Sequence, residues 1–129
     1  MSQFQPFVME RMMSKFEQGV DYNLSESGVH PLDLHELLAM KPSAEEELLK
    51  TSLNYPYVNG TPELRQNIAS IYRGAGPDNV LVTVGAIEAN YLAIRTLLDA
   101  GDEIVIMKPN YMQIWGIARN HALNIKTFS

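Results

Sequence analysis

The chain contains no cysteine, which excludes thiol catalysis, disulfides and cysteine-ligated metals. No apolar run approaches the length of a membrane span, and the first residues, with Glu10 and Glu17 among them, lack the apolar stretch of a secretory signal. Lysine and arginine together number 10 against 15 aspartates and glutamates, and they are scattered, so no basic cluster is available to neutralise nucleic-acid phosphates. The histidines, His30, His35 and His121, show no metal-ligand spacing on one face, and no metal site is expected. Two nucleotide signatures are missing as well, G-x-G-x-x-G and Gly-Lys-Ser/Thr. These absences leave a cytoplasmic globular chain as the expectation, and 129 residues at 46% hydrophobic content suffice for a core.

The chain is organised around residues 79–94. Val80, Leu81, Val82, Thr83 and Val84 form a continuous β-branched and apolar run after the turn-like Gly76-Pro77-Asp78-Asn79, the pattern of a strand buried on both faces. From Gly85 the period changes, with Ile87, Tyr91, Ile94 and Leu98 at helical spacing and Glu88, Arg95 and Asp99 on the other side. A strand that turns into a helix at a glycine leaves the amides of Gly85, Ala86 and Ile87 without partners inside the helix, and such amides favour an anion. Glycine at such a junction can equally serve tight backbone geometry alone. The neighbouring segments have to decide.

Phe7, Val8, Met12 and Phe16 predict a helix over 6–18 that stops at Gly19. Residues 21–31 are small and polar without a period, an extended piece followed by a loop. A short helix over 32–40 turns Leu34, Leu37 and Leu38 inward; a second starts at Ser43, where Glu46 completes a capping box and Leu48, Leu49 and Leu53 take the buried side. Tyr55 and Tyr57, around Pro56 and ahead of Asn59-Gly60, either pack on the core or donate phenolic hydrogen bonds to an anion. Thr61 caps and Pro62 opens the next helix, with Leu64, Ile68, Ile71 and Tyr72 as its buried stripe. Gly101 ends the central helix and residues 103–107 read as a second buried strand. Strand, helix, strand in that order predicts a parallel crossover that brings Gly85 and Lys108-Pro109-Asn110-Tyr111 to the edge that carries ligands in open α/β sheets. A helix from Tyr111 to about His121, with Ile114, Trp115, Ala118 and Ala122 inside, and a strand over 124–128 complete the pattern.

In this order and spacing the segments resemble the N-terminal part of class I/II aminotransferases, the fold-type I enzymes that use pyridoxal 5′-phosphate (PLP). The resemblance runs from about Asn23 to the last residue and rests on three phrases. Tyr55-x-x-x-x-Gly60 followed by Pro62-x-Leu64-Arg65 is similar to the loop and helix that precede the large domain's sheet; Val82-Thr83-Val84-Gly85-Ala86-Ile87-Glu88 is similar to its phosphate-binding turn; Lys108-Pro109-Asn110-Tyr111 is similar to the segment whose aromatic residue lies over the cofactor ring. The resemblance implies an α/β fold, a partial PLP-dependent transferase-like large domain with a parallel βαβ core and N-terminal helices. Residues 1–52 would supply those helices and a substrate-side loop, and residues 53–129 the first part of the PLP-binding domain. It further implies that Gly85, Ala86 and Ile87 hold the cofactor phosphate, that Tyr111 stacks on the ring, and that Tyr55 donates its hydroxyl to the phosphate of the neighbouring subunit of a homodimer. Ser27 and Gly28, in a segment similar to one that closes over the substrate, are the candidate substrate-binding residues. The phrase Glu26-Ser27-Gly28-Val29, with the later Ser43 helix, most resembles the branch that includes capreomycidine synthase.

The family's Schiff-base lysine follows a serine-rich phrase, and no Ser-x-x-Lys surrounds Lys15, Lys41, Lys50, Lys108 or Lys126. Its aspartate for the pyridine nitrogen and its arginine for the substrate carboxylate have no matching motif either, so the expected catalytic lysine lies outside these residues. The resemblance therefore implies the first part of an enzyme that exchanges an amino group between amino-acid and keto-acid substrates. Two other readings stay open: a PLP-dependent cyclase or lyase of the same fold, and a non-catalytic binding module that keeps the shape.

Overall fold

The computed structural model describes Phe4 and residues 6–25 and 28–129. Contacts divide them into two units, the described residues up to Val20 together with Val58–Ser129, and Asp21–Tyr57.

In the larger unit, β1 (Glu103–Met107), α6 (Gln113–Asn120) and β2 (Asn124–Phe128) form a βαβ motif. The two strands run parallel and in simple register, from Glu103 opposite Asn124 to Met107 opposite Phe128. Parallel neighbours need a crossover long enough to return the chain to the same end, and α6 supplies it. Ile106 of β1, Ala118 of α6 and Leu123 just before β2 are buried with Ile94 of α5 (Gly85–Leu97), and Ile104, Ile114, Trp115, Ile117 and Ile125 pack around them. The predicted inward residue Ala122 instead takes a positive φ of 58° and is exposed, and the chain turns there to bury Leu123. Strand β1 is covered on one face, since Ile106 is buried whereas Val105 and Met107 are exposed.

The apolar run at 80–84 is the main departure. It is extended at Val80 (φ −116°, ψ 124°) but pairs with neither strand. Its ends make only local backbone bonds, from the Val80 amide to the Pro77 carbonyl and from the Gly85 amide to the Thr83 carbonyl, while the Val82 amide donates to the Asn59 carbonyl at 3.1 Å. Extended residues become a strand only when a neighbour takes up their amides and carbonyls in series, and among the described residues none does. The run is held from the side instead. Gly60 has φ +96°, and a Cβ placed on it would come within 2.4 Å of a Val82 methyl, so glycine serves both the turn and the close approach. Arg65 of α4 (Pro62–Ala69) donates from Nε to the Val80 carbonyl at 3.1 Å and from Nη2 to Asp78 at 3.0 Å. Helix α4 starts as its sequence dictates, with the Thr61 hydroxyl accepting from the Leu64 amide and Pro62 in the first turn. Its predicted stripe is open, with Leu64, Ile71 and Tyr72 exposed and Ala69 buried in their place. Helix α1 (Val8–Phe16), followed by one 3₁₀ turn to Gly19, belongs to this unit and has no buried residue.

The smaller unit carries α2 (Leu34–Ala39) and α3 (Ala44–Leu49). A capping box forms at α2: Asp33 accepts from the Glu36 amide at 2.7 Å and Glu36 accepts from the Asp33 amide at 2.9 Å. The box expected at Ser43 and Glu46 does not form. Ser43 donates to Glu47, which also accepts from Lys41 at 2.6 Å, and Glu46 pairs with Lys50. No described residue of this unit is buried, and the leucines expected inward, Leu34, Leu37, Leu48, Leu49 and Leu53, are exposed. A pair of short helices buries too little surface to close a core alone.

Candidate functional site

Where the extended run enters α5, Gly85 adopts φ +73°, a left-handed conformation that lets the chain turn from one regular geometry into the other. A Cβ there would meet nothing within 4 Å, so the requirement comes from the backbone rather than from space. Two bonds shape the turn: the Gly85 amide donates to the Thr83 carbonyl at 3.0 Å, and the Thr83 hydroxyl donates to the Gly85 carbonyl at 3.0 Å. The Gly85 amide, expected to be free, is therefore used inside the turn. The next two differ. Among the described residues the amides of Ala86 and Ile87 have no partner, as the opening of a helix without a side-chain N-cap leaves them. The Val84 amide donates to Glu88 Oε2, so a carboxylate from the helix already sits against its positive end. An anionic oxygen is thus accommodated at this turn.

The second segment follows β1. The Lys108 amide donates to the Phe128 carbonyl at 2.7 Å, extending the β1–β2 pairing by one bond, and the Lys108–Pro109 peptide is cis. Lys108 lays its ammonium 4.1 Å from the centre of the Trp115 ring, a cation–π contact that occupies this lysine. Asn110 Oδ1 accepts from the Tyr111 amide at 2.7 Å. The Tyr111 ring meets Phe7 edge to face, with centroids 5.3 Å apart, and its hydroxyl donates to Glu10 Oε1 at 2.8 Å. Burial, then the hydrogen bond and the charge of Glu10, push the Tyr111 phenol above its ordinary value. Tyr111 as a whole stays 43% exposed, so part of its surface remains open to a ligand.

These two segments are joined by a residue that the sequence did not single out. Gln113, in the first turn of α6, is buried; its Nε2 donates to the Ile87 carbonyl at 2.7 Å and its Oε1 accepts from Asn90 at 3.0 Å. The only hint in the sequence is a polar residue two positions after Tyr111, ahead of Ile114 and Trp115.

Tyr55 lies in the smaller unit, 98% exposed, with its amide donating to Asn54 Oδ1. Gly28 lies in the exposed loop of the same unit, and Ser27 falls outside the described residues. His121 has Nε2 2.8 Å from the Leu98 carbonyl and a side-chain contact with Arg95. Among the described residues no helix is long and apolar enough to cross a membrane.

Residues 23–129 match the family model for aminotransferase class I and II. A probable aspartate aminotransferase of Methanocaldococcus jannaschii is 35% identical over 80 residues, covering 58% of this chain and 21% of that protein. Among solved structures, a PLP-dependent aminotransferase from Streptococcus suis superposes with a TM-score of 0.85 at 26% identity, covering 97% of this chain and 34% of the other. The PLP-dependent cyclase OrfR gives a TM-score of 0.83 at 27% identity, covering 98% and 33%. The chain thus spans about a third of the solved structures it superposes on and about a fifth of that curated relative.

Proposed function

Because this chain belongs to the class I and II aminotransferase family, we propose that it provides the phosphate-binding turn and the ring-facing aromatic of an enzyme that transfers an amino group between an amino acid and a keto acid. The family's cofactor is PLP. The residues present fit it, and one observation carries the reading: Ala86 and Ile87 offer free amides at the start of a 13-residue helix, at a turn that already accepts a carboxylate oxygen from Glu88. When bound, PLP supplies an electron sink for the carbon that carries the amino group.

The chain's own residues have three tasks in this reading. Ala86 and Ile87, with Gly85 allowing the turn, would hold the phosphate. Tyr111, its hydroxyl fixed by Glu10 and its edge contact set by Phe7, would offer the exposed part of its ring to the pyridine ring and limit its tilt. Tyr55, exposed and carrying a phenol, would reach the phosphate of a second copy in a homodimer, and Ser27 and Gly28 would lie on the substrate side. Residues 1–52 would then be the helices and loop on that side, and residues 53–129 the beginning of the cofactor domain. A cytoplasmic, biosynthetic setting accords with this chemistry.

The likeness to OrfR supports a second reading, a cyclase on the same frame. Turnover separates the two: an aminotransferase yields a keto acid from its donor, whereas a cyclase yields a ring and keeps the substrate's nitrogen. The cofactor reading itself is tested by the intact mass of the protein purified from its source, before and after borohydride reduction with PLP. One added pyridoxyl group supports it; a mass of 14.5 kDa with no stoichiometric adduct would put the binding-module reading first.

A further inference from the structure

Gln113 is the one polar side chain buried among the described residues, at 7% exposed. Burying an amide in an apolar surrounding is unfavourable unless its polar atoms are used, and here both ends are used. Nε2 donates to the Ile87 carbonyl at 2.7 Å and Oε1 accepts from Asn90 Nδ2 at 3.0 Å. Ile87 and Asn90 stand three residues apart on α5, one above the other on the same face. The Ile87 carbonyl can only accept, so it decides which way the Gln113 amide points, and Gln113 Oε1 is left to take the Asn90 amide.

We propose that Gln113 is a positioning residue that sets the aim of the Ala86 and Ile87 amides toward the cofactor phosphate, with Asn90 holding its carbonyl end. The inference rests on the PLP reading above. The turn at Gly85 has no side-chain N-cap, so its first helical residues depend on outside contacts for their placement. Gln113 grips the carbonyl of Ile87, the residue whose amide is to be aimed, from the first turn of α6. Tyr111 lies two residues before that grip. A single buried amide thus fixes the spacing between the phosphate-facing turn and the ring-facing segment, and a small shift in that spacing misplaces one of the two contacts.

The test follows the Ala86 and Ile87 amides by NMR as the full chain is titrated with PLP and, separately, with pyridoxal, which lacks the phosphate. In the unaltered protein both amides should shift with PLP and not with pyridoxal. Gln113→Met keeps the volume and removes both bonds; it should weaken PLP about fivefold, mostly through loss of the bond to the Ile87 carbonyl, and leave pyridoxal binding and the β1 and β2 amide signals in place. Asn90→Ala removes only the partner of the Gln113 oxygen and should weaken PLP about twofold; it carries the test if Gln113→Met fails to fold. Unchanged PLP affinity in the variants, or equal weakening toward PLP and pyridoxal, would overturn the positioning role while leaving the cofactor reading intact. Absence of any Ala86 or Ile87 shift in the unaltered protein would overturn the cofactor reading and this inference with it.

Discussion

Residues 80–84 and β1 are two short runs of similar composition, Val-Leu-Val-Thr-Val and Glu-Ile-Val-Ile-Met, and only the second is a strand. Both lead into a segment of the candidate site. β1 has β2 beside it and α6 across one face. The earlier run has Asn59, Gly60 and Arg65 touching it from the side, and Leu81 and Val84 remain exposed. The difference lies in what surrounds each run. β-propensity describes a fit to a pleated, half-buried surface, and it yields a strand only where such a surface exists.

The contrast can be broken most severely at the core of the paired half. Ile106→Ala removes a buried side chain from the cluster of Ile94, Ala118 and Leu123 and should cost about 2–4 kcal/mol, read as a lower denaturant midpoint with the β1–β2 pairing lost. Next is Gly60→Ala, which places a Cβ against Val82 at a positive φ and should cost about 1–3 kcal/mol. Hydrogen exchange sharpens this one: the Val82 amide, protected by Asn59 in the unaltered protein, should exchange freely in the variant, whereas the Lys108 amide bonded to Phe128 stays protected. Arg65→Met removes the donor to the Val80 carbonyl and should cost about 1 kcal/mol, with faster exchange at Val82 as the local readout. The smallest effect is a pH dependence at Tyr111. Its folded-state value is raised above 10.0, so its contribution to stability is complete below that pH and is lost as the pH rises past it. Denaturant midpoints should fall above pH 10.0, and Glu10→Gln, which removes the carboxylate's charge, should make that fall smaller.

Features governed by adjacent residues were legible in the sequence. The Thr61-Pro62 helix start, the glycine entry into α5, and β1 and β2 with a helix between them appear where the residue types place them, whereas α5 stops at Leu97, ahead of the expected Gly101, with Leu98 already extended. So does the likeness to the aminotransferase family. What the sequence did not reveal depends on which partner each group takes in the fold, near or far along the chain. Ser43 and Asp33 both carry a cap followed three residues later by a glutamate, and only Asp33 forms the box, because Glu47 takes the Ser43 hydroxyl and Lys41 together. Leu34, Leu64 and Ile71 have the spacing of buried residues and lie exposed, since periodicity says which side is apolar and not whether anything covers it. At the site, the turn at Gly85 could be read from one glycine between two periods. The use of its own amide by Thr83, the carboxylate of Glu88 against Val84, and the grip of Gln113 on Ile87 could not: the first two turn on which local partner the turn geometry favours, and the third needs the fold to bring α6 against α5.

The contact between Gly60 and Val82 has a consequence for order rather than for energy of contact. A free chain segment loses about 1–2 kcal/mol per residue in backbone entropy when it is straightened into one conformation. Around Val82 part of that loss has already been taken, because the Asn59 carbonyl and the missing Cβ of Gly60 hold this part of the run in place. A backbone fixed before it is paired has less disorder left to remove when a neighbour takes up its remaining amides and carbonyls.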